Sequence, residues 1–418
     1  MAVGADHGVG GVGQVAGSGA EQVGRGLAAG AERAGGVVDQ HVRGADDLAQ
    51  PGQQVVVQHG RRRGGAGRGG RVPEAEALLA EHGLTLGHYP QSYQHASIGG
   101  FAATRSSGQS SAGYGRFDAM VVGLTAATPT GSLDLGSSPA NAAGPDLRQL
   151  LLGSEGAFGV ITSVTVRVRR APAETAYEGW RWPSFAAGSD AMRTLAQAGL
   201  LPTVLRLSDE AETAINLADP SSIGGSGQGC LMITGYEGTP AQVASRRAEV
   251  TAVLADLGGT PLGTEPGEKW SHGRFGAPYL RDALLDHGVL VETLETATFW
   301  SNRERLYADV AAALRSTLGE GALVLCHVSH VYETGCSLYF TVAARQSDDP
   351  IAQWQVAKAA ASDAMIAAGA TITHHHAVGT DHTPWFAQEV GEVGVRVLRA
   401  VKAELDPAGI LNPGVLIP

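Results

Sequence analysis

Three consecutive histidines, His374, His375 and His376, are the residues whose type and spacing most directly indicate chemistry in this chain. The run is internal, so it is not a terminal purification tag. The unperturbed pKa of histidine lies near neutrality, and a cluster of imidazoles can therefore exchange protons or bind an anion at cellular pH. We interpret the run as part of an active site. The alternative is that one histidine ends a strand and the other two face solvent.

The elements on either side of the run would fix its position. Asp349 followed by Pro350 is a typical helix start and Gly369 a typical helix end, which predicts one helix over residues 351–368. Residues 370–372 then predict a short strand that delivers the histidines. Another helix is expected over about residues 384–404.

Length and composition limit the possible functions. A chain of 418 residues suggests two domains with a site between them. The net charge of -11, with acidic and basic residues interspersed, argues against nucleic acid as a partner. Three cysteines without a Cys-x-x-Cys pair indicate neither a disulfide framework nor a thiolate zinc site. With no long apolar window and no signal-peptide pattern, we expect a cytoplasmic protein.

Residues 1–72 differ in composition from the rest of the chain. Gly, Ala, Val, Gln and Arg dominate, and Lys, Ile, Phe, Tyr and Trp are absent. Such a segment buries too little apolar surface to offset the entropy of ordering it. We predict that it is mostly disordered or reflects a shifted reading frame. The remaining boundaries are predicted at 73–172, 173–372 and 373–418.

The middle region alternates strands with helices, which predicts helices packed on a sheet. Helical periodicity covers residues 185–198, 240–257 and 303–318. The predicted strands cover residues 176–182, 203–207, 230–236, 289–293, 323–331 and 337–342.

Four segments, in this order, resemble one family. They are Gly-Ser-Glu-Gly-x-x-Gly-Val-Ile-Thr at 153–162, Val-Leu-Arg-Leu-Ser-Asp at 204–209, Tyr-Glu-Thr-Gly-Cys-Ser-Leu-Tyr-Phe at 332–340 and His-His-His-Ala-Val-Gly at 374–379. Together with the tail Asp-Pro-x-Gly-Ile-x-Asn-Pro-Gly, they resemble the flavin-linked oxidases of the vanillyl-alcohol-oxidase superfamily, and within it the alkylglycerone-phosphate synthase family. The resemblance covers residues 73–418.

The resemblance implies an α+β fold with two parts. One is a PCMH-type FAD-binding domain, and the other is an α/β sandwich cap domain of the FAD-linked oxidase C-terminal type. FAD is the implied cofactor, since Gly-rich backbone lets amide groups approach it closely. The residues implied to line FAD are Ser97, Ile98, Gly99, Gly100, Thr104, Arg105, Ser107, Gly108, Tyr114, Gly115, Glu155, Gly156 and Ile161. The family's Gly-rich pyrophosphate loop has no counterpart in residues 1–96. We therefore expect the FAD-binding domain to be N-terminally incomplete, and to bind FAD weakly or not at all.

The resemblance also implies a reaction. The family exchanges the acyl chain of acyl-dihydroxyacetone phosphate for a fatty alcohol, and it uses the flavin without net redox change. By motif position, Arg206 would lie near the flavin and Arg281 would bind phosphate. Tyr332 would act as acid and base, and the three histidines would bind phosphate and relay protons. Ala377 replaces the family's more usual Gly, which makes the substrate less secure than the flavin.

Two other functions remain open at this stage. The chain would be a FAD-linked dehydrogenase or oxidase of a hydroxy acid, or an inactive truncated homologue. The first is weakened because His375 stands where the hydroxy-acid dehydrogenases carry a metal-binding Glu, and we predict no metal site. A lipid-like or hydroxy-acid small molecule is the expected substrate. Peripheral membrane contact, a homodimer and covalent attachment of the flavin are left open by the sequence.

Overall fold

A computed structural model describes residues 54–58, 70–216 and 229–418, all of which belong to one compact unit. The prediction of disorder for residues 1–53 and 59–69 lies outside the described residues. No helix in the described ranges is long and apolar enough to cross a bilayer.

The part of the chain before residue 171 surrounds a four-stranded antiparallel sheet with short helices. The order in this sheet is β1-β5-β3-β4, and β2 pairs separately with β6. The elements are β1 Gln54–Gln58, α1 Val72–Ala80, β2 Leu84–Thr85, α2 Ile98–Thr104, α3 Ser111–Tyr114, α4 Phe117–Met120, β3 Val121–Thr128, β4 Gly131–Leu135, α5 Arg148–Leu151, β5 Val160–Arg167 and β6 Arg169–Arg170.

β1 lies inside the segment that the sequence predicts to be mostly disordered. The backbone of Gln54–Gln58 pairs antiparallel with β5 along its whole length. Three consecutive valines have high strand propensity, and an edge of an existing sheet supplies their hydrogen-bonding partners. Local composition alone did not indicate this strand, because a distant strand provides its pairing.

The second part is a seven-stranded antiparallel sheet with the order β10-β7-β9-β8-β12-β13-β11. Its elements are β7 Glu174–Trp182, α6 Phe185–Gln197, β8 Val204–Ser208, α7 Glu210–Asn216, β9 Cys230–Gly238, α8 Pro240–Asp256, β10 Thr260–Gly263, α9 Glu265–Gly273, α10 Ala277–Asp286, β11 Val289–Phe299, α11 Arg303–Leu318, β12 Leu323–Val328, β13 Gly335–Arg345 and α12 Pro350–Ala367, and α13 Thr383–Leu405 follows. The mixed helix and sheet architecture agrees with the predicted α+β fold.

The register of this sheet gathers polar residues on one face. Glu295 of β11 pairs with Tyr339 of β13, which pairs with His327 of β12, which in turn pairs with Ser208 of β8. Directly paired residues project from the same face of a sheet, so these side chains form a row across four strands. Their chain neighbours project from the opposite face and are buried in the apolar core that also contains side chains of the helices, among them Leu207, Cys326, Leu294 and Phe340.

Most of the predicted elements are present, but two differ where the site is built. Residues 370–372 form only a single bridge, between Thr371 and Ala297, instead of a strand. β11 continues to Phe299, six residues beyond the predicted end at residue 293, because all eleven of its residues pair with β13. This extension contains Glu295, whose acidic side chain is unfavourable in a strand by local propensity alone.

Candidate active site

The carboxylate of Glu295 holds the backbone of the histidine run. Its Oε1 atom accepts hydrogen bonds from the amides of His374, His375 and His376 at 2.8–2.9 Å and from the Thr373 hydroxyl at 2.7 Å. The side chain is fully buried. A buried charge requires this kind of hydrogen-bonded compensation, and here the compensation fixes three successive amides around one oxygen. The three imidazoles therefore spread from a fixed turn.

A second carboxylate, from the other part of the chain, holds the end of the same loop. Glu155 accepts hydrogen bonds from the amides of Val378 at 2.8 Å and Gly379 at 2.7 Å. Between the two anchored stretches, Ala377 has a φ of 71°, a left-handed conformation that favours glycine. A glycine would adopt this conformation with less strain than Ala377.

A chain of hydrogen bonds links Tyr332 to two of the imidazoles. The Tyr332 hydroxyl lies 2.5 Å from Nε2 of His374, and Nδ1 of His374 lies 2.9 Å from Nδ1 of His375. Nδ1 of His375 is in turn 3.3 Å from Oε2 of Glu295. The prediction that Tyr332 and the histidines act together is consistent with this geometry, and their catalytic roles stay predictions.

Burial and neighbouring charge keep most of these groups neutral. Burial raises the pKa of Tyr332, so its hydroxyl retains its proton at neutral pH. Burial lowers the pKa of His374 to about 3 and that of His376 to about 4. Burial acts to raise the pKa of Glu295, but the imidazoles, His375 first among them, hold it well below the usual range. Glu295 is thus a charged carboxylate in contact with the run, and it can compensate one imidazolium.

These protonation states set the donor and acceptor roles in the hydrogen bonds that link Tyr332 to His375. A protonated Tyr332 donates to Nε2 of a neutral His374, whose ring proton then lies on Nδ1 and is donated to His375. If the phenol gives up its proton, the excess proton can move through His374 to His375. The positive charge would then lie beside Glu295, which compensates it.

Two residues that sequence reasoning missed complete this cluster. Nδ1 of His330 contacts the hydroxyls of Ser107 at 3.0 Å and Ser111 at 2.6 Å, and its ring stacks 5.0 Å from that of His374. The positive charge of Arg116 opposes the rise in the pKa of Tyr332 that burial causes, and its side chain is held by an ion pair with Asp118 at 2.8 Å. The only sequence signal for them was proximity, since His330 lies two residues before Tyr332 and Arg116 follows the Tyr-Gly pair at 114–115.

A cavity of about 280 Å³ lies between the histidine loop and the first part of the chain. Its lining combines polar groups, among them His374 and His375, with apolar side chains. Of the residues predicted to contact FAD, Thr104, Arg105 and Glu155 are in this lining. The other lining residues are Gln149, Leu150, Leu152, Gly153, Ser154, Phe158, Thr373, Ala377, Val378, Phe386, Leu398 and Leu416.

The remaining predicted FAD residues lie outside this lining. Ser97 is the N-cap of α2 and accepts a hydrogen bond from the amide of Gly100 at 3.1 Å, and Ile98 and Gly99 are buried in that helix. Tyr114 donates to Glu237 of the second part at 2.7 Å. Ser107, Gly108, Gly115, Gly156 and Ile161 are likewise not among the lining residues. Whether any of them contacts the cofactor stays a prediction.

The two predicted arginines are in different surroundings. Arg206 lies on the polar face of the sheet, where its Nη2 atom is 2.5 Å from Glu212 and 3.0 Å from Nδ1 of His327. Arg281 lies on α10, is 44% exposed and forms ion pairs with Asp282 at 3.3 Å and Glu292 at 3.8 Å. Within the described residues no contact links Arg281 to the imidazoles, and its assignment as a phosphate ligand stays a prediction.

His330, His374 and His375 together also have the spacing of a metal site. A ligand atom from each lies within 4.8 Å of the others. The sequence predicts no metal site. Binding of a metal ion by these three histidines, a grouping that sequence reasoning missed, would contradict that prediction.

Replacing Glu295 with Gln is expected to destabilise the protein strongly. The substitution leaves the donors of the histidine turn without their anionic acceptor, and breaking a buried charged network of this kind costs about 3–5 kcal/mol. The free energy of unfolding, measured by urea denaturation, should fall by that amount. Glu292→Gln on the same strand is the matched control, because its exposed ion pair with Arg281 contributes about 0–1 kcal/mol. Equal effects of the two substitutions would contradict the anchoring role of Glu295.

Stability should fall on acidification below about pH 6.5. The pKa values of His374 and His376, about 3 and about 4 in the folded state, lie below the ordinary 6.5. Between pH 6.5 and about 4 the unfolded chain binds protons that the folded chain does not, so the folded state loses up to about 1.4 kcal/mol per pH unit for each group. Thermal unfolding midpoints measured between pH 7.5 and 4 would show this.

The variant His376→Asn should reduce the change of the thermal unfolding midpoint with pH, whereas replacement of the exposed His82 by Asn should not. A midpoint that rises as the pH is lowered from 7 to 5 would be incompatible with buried neutral imidazoles.

Comparison with known proteins places this geometry in a family. Residues 171–416 match the model of the FAD linked oxidases, C-terminal domain, and residues 14–135 match an FAD binding domain. The second match extends into the segment 1–72, and the domain boundaries proposed from the sequence stay predictions.

Three relatives illustrate the similarity. The alkyldihydroxyacetonephosphate synthase of Trypanosoma brucei brucei is 33% identical over 83% of this chain and 60% of its own length. An uncharacterized FAD-linked oxidoreductase of Escherichia coli K12 is 28% identical over 82% of this chain and 73% of its own length. A solved structure of an alkyldihydroxyacetonephosphate synthase superposes with a TM-score of 0.69 at 30% identity, covering 86% of this chain and 64% of that one.

This chain thus spans less than two thirds of the length of the synthases it matches. The C-terminal domain model nevertheless accounts for more than half of it, including the seven-stranded sheet, the imidazole cluster and the tail. The chain belongs to the family of FAD linked oxidases.

Proposed function

We propose that this chain catalyses the exchange performed by the synthases it resembles, in which the acyl chain of acyl-dihydroxyacetone phosphate is replaced by a fatty alcohol. The observation that carries the proposal is the hydrogen-bonded series Tyr332–His374–His375, which ends at Glu295. Exchange needs an acid for the departing carboxylate and a base for a substrate proton, and one reversible proton relay supplies both.

FAD is the cofactor indicated by the family, and the cavity residues fit it. Ser154 lies in the lining, is 2% exposed, and its Oγ atom has no hydrogen-bond partner within the protein. Gly153 and Gly156, on either side of it in sequence, have φ values of 80° and 82°, a left-handed conformation that favours glycine. A buried unpartnered hydroxyl beside such a turn calls for a polar ligand.

When bound, FAD supplies a nucleophilic ring nitrogen, and the acid–base work falls to the protein. Once the relay holds an extra proton, Tyr332 can pass its own proton to a leaving group and recover one from Nε2 of His374. In the opposite direction, Tyr332 accepts a proton once His374 has taken its own. Arg116 would stabilise the phenolate formed in between, because its positive charge opposes the effect of burial on the pKa of Tyr332.

A second candidate function is FAD-linked oxidation of a hydroxy acid. The spacing of His330, His374 and His375 favours it, since three imidazoles within 4.8 Å could bind a cation that polarises a substrate oxygen. The similarity to the E. coli oxidoreductase is also compatible with it. The synthase is preferred because Tyr332 hydrogen-bonds directly to this cluster at His374.

Replacing Tyr332 with Phe should abolish exchange while leaving the fold intact. The change removes the terminal hydroxyl of the relay, and loss of a general acid–base group lowers turnover by about 10²–10⁴-fold. Exchange is measured as alkyl-dihydroxyacetone phosphate formed from the acyl substrate and a labelled fatty alcohol. Tyr236→Phe is the matched control, because that hydroxyl is buried in the sheet core without a partner and its removal should change nothing.

Other outcomes of the same assay separate the candidates. The synthase should show no net flavin reduction, no oxygen consumption and no loss of activity with a chelator. Bleaching of the flavin by a hydroxy acid, together with chelator sensitivity, would favour the oxidoreductase. Full exchange by Tyr332→Phe would contradict the assignment, and absence of a flavin spectrum in the purified chain would favour an inactive homologue.

The expected partners follow from this proposal. A lipid-like small molecule is the substrate class that the similarity to the synthases supports. A cytoplasmic location, peripheral membrane contact and a homodimer remain proposals that rest on the sequence alone.

A further inference from the structure

The ring of His330 is held by two hydroxyl groups from the first part of the chain. Its Nδ1 atom lies 3.0 Å from Oγ of Ser107 and 2.6 Å from Oγ of Ser111. All three side chains are buried. His330 is not among the residues that line the cavity, whereas His374 and His375 are. Any influence of His330 on chemistry in the cavity therefore acts through the residues that it contacts.

The same ring packs against two imidazoles of the histidine run. The rings of His330 and His374 are stacked, with centroids 5.0 Å apart and an angle of 27° between their planes. The ring of His375 contacts His330 edge-on at 4.9 Å. Burial, followed by the imidazoles of His375 and His374, holds the pKa of His330 well below its usual range. A neutral His330 thus limits the orientation of its neighbours by packing, without placing a charge beside them.

The backbone of His330 begins the turn that carries Tyr332. The amide of His330 donates to the hydroxyl of Ser337 at 3.2 Å, and the amide of Ser337 donates to the carbonyl of His330 at 2.9 Å. Inside this pair, the amide of Tyr332 donates to the carbonyl of Gly335 at 2.8 Å. Tyr332 lies only two residues after His330, so its backbone position is tied to that of His330.

We propose that His330 is a positioning residue for the hydrogen bond between Tyr332 and His374. It orients the acceptor by stacking on the His374 ring, and it places the donor through the turn that it shares with Tyr332. The hydroxyls of Ser107 and Ser111 hold His330 in the position where it does both. This inference rests on the proposed exchange function, since the hydrogen bond is the first step of its proton relay. It means that the first part of the chain aligns a relay that belongs to the second part.

Replacing Ser111 with Ala in the FAD-loaded full chain tests the proposal, because it removes the shorter of the two contacts to His330. Misplacement of a reacting group by about 1 Å costs about 10²-fold in rate. We expect kcat for exchange to fall about 10–100-fold, while KM for the acyl substrate changes by less than about twofold, because the relay acts in the transition state. In nitrogen-15 NMR of the resting protein, the Nε2 resonance of His374 should move toward that of an unprotonated nitrogen without a hydrogen bond.

Ser110→Ala is the matched control. It removes a neighbouring buried hydroxyl that has no hydrogen-bond partner within the described residues, and it should change neither kcat nor the His374 resonance. A second variant, His330→Asn, keeps a polar group at the position of Nδ1 but removes the part of the ring that packs on His374, and it should reproduce the NMR change. A chelator is present throughout, so that a cation bound by the imidazoles does not contribute. Flavin absorbance and thermal midpoints verify that each variant is folded and loaded.

A double-mutant cycle separates positioning from a general structural effect. In the Tyr332→Phe background the hydrogen bond is already absent, so Ser111→Ala should lower the remaining exchange by less than about twofold. Equal losses in both backgrounds would overturn the proposal, as would an unchanged kcat, an unchanged His374 resonance or a loss that Ser110→Ala shares. Failure of the wild type to exchange would reject only the synthase function, and the NMR comparison of the resting variants then decides the positioning role by itself.

Discussion

The carboxylate of Glu295 is the group on which the geometry of the site depends. It comes from a central position of the eleven-residue strand β11, so its place is set by the register of the sheet. The histidine loop has almost no secondary structure of its own and is shaped by the amides that converge on this oxygen. A buried anion without those donors would be costly, and three adjacent imidazoles without that anion would have nothing to compensate a proton. The Glu295 carboxylate and the histidine loop therefore stabilise each other.

The two parts of the chain meet at this loop. Glu295 holds its beginning from the seven-stranded sheet, and Glu155 holds its end from the part that carries the cavity lining. His330 connects the same parts through the serines of α3 and of the loop before it. Residues far apart in sequence thus converge beside one cavity, because the hydrogen bonds of Glu155 and of His330 cross between the parts. A site built in this way combines the acid–base groups of one part with the cofactor contacts of the other.

Local patterns in the sequence were sufficient to find most helices and strands of the sheet region and the histidine run. Apolar periodicity located most strands and helices of the sheet region, and the unusual histidine run marked the loop. Glu295 was not found, since an acidic residue late in a strand is locally unfavourable and only pairing with β13 places it inside. β1 was missed for a similar reason, because its partner strand lies more than 100 residues further along the chain. Arg281 was assigned by motif position, and its ion pair with Glu292 depends on the packing of α10 against β11.

The central claim is that a neutral His374 accepts a hydrogen bond from the Tyr332 hydroxyl at Nε2 and carries its own proton at Nδ1. Nitrogen-15 NMR of histidine-labelled protein at pH 7, with the His374 resonances assigned from their absence in a His374→Gln variant, tests this directly. The account predicts a neutral ring protonated at Nδ1, with an unprotonated Nε2 that is hydrogen-bonded to the Tyr332 hydroxyl. An imidazolium at position 374, or a neutral ring protonated at Nε2, would contradict it.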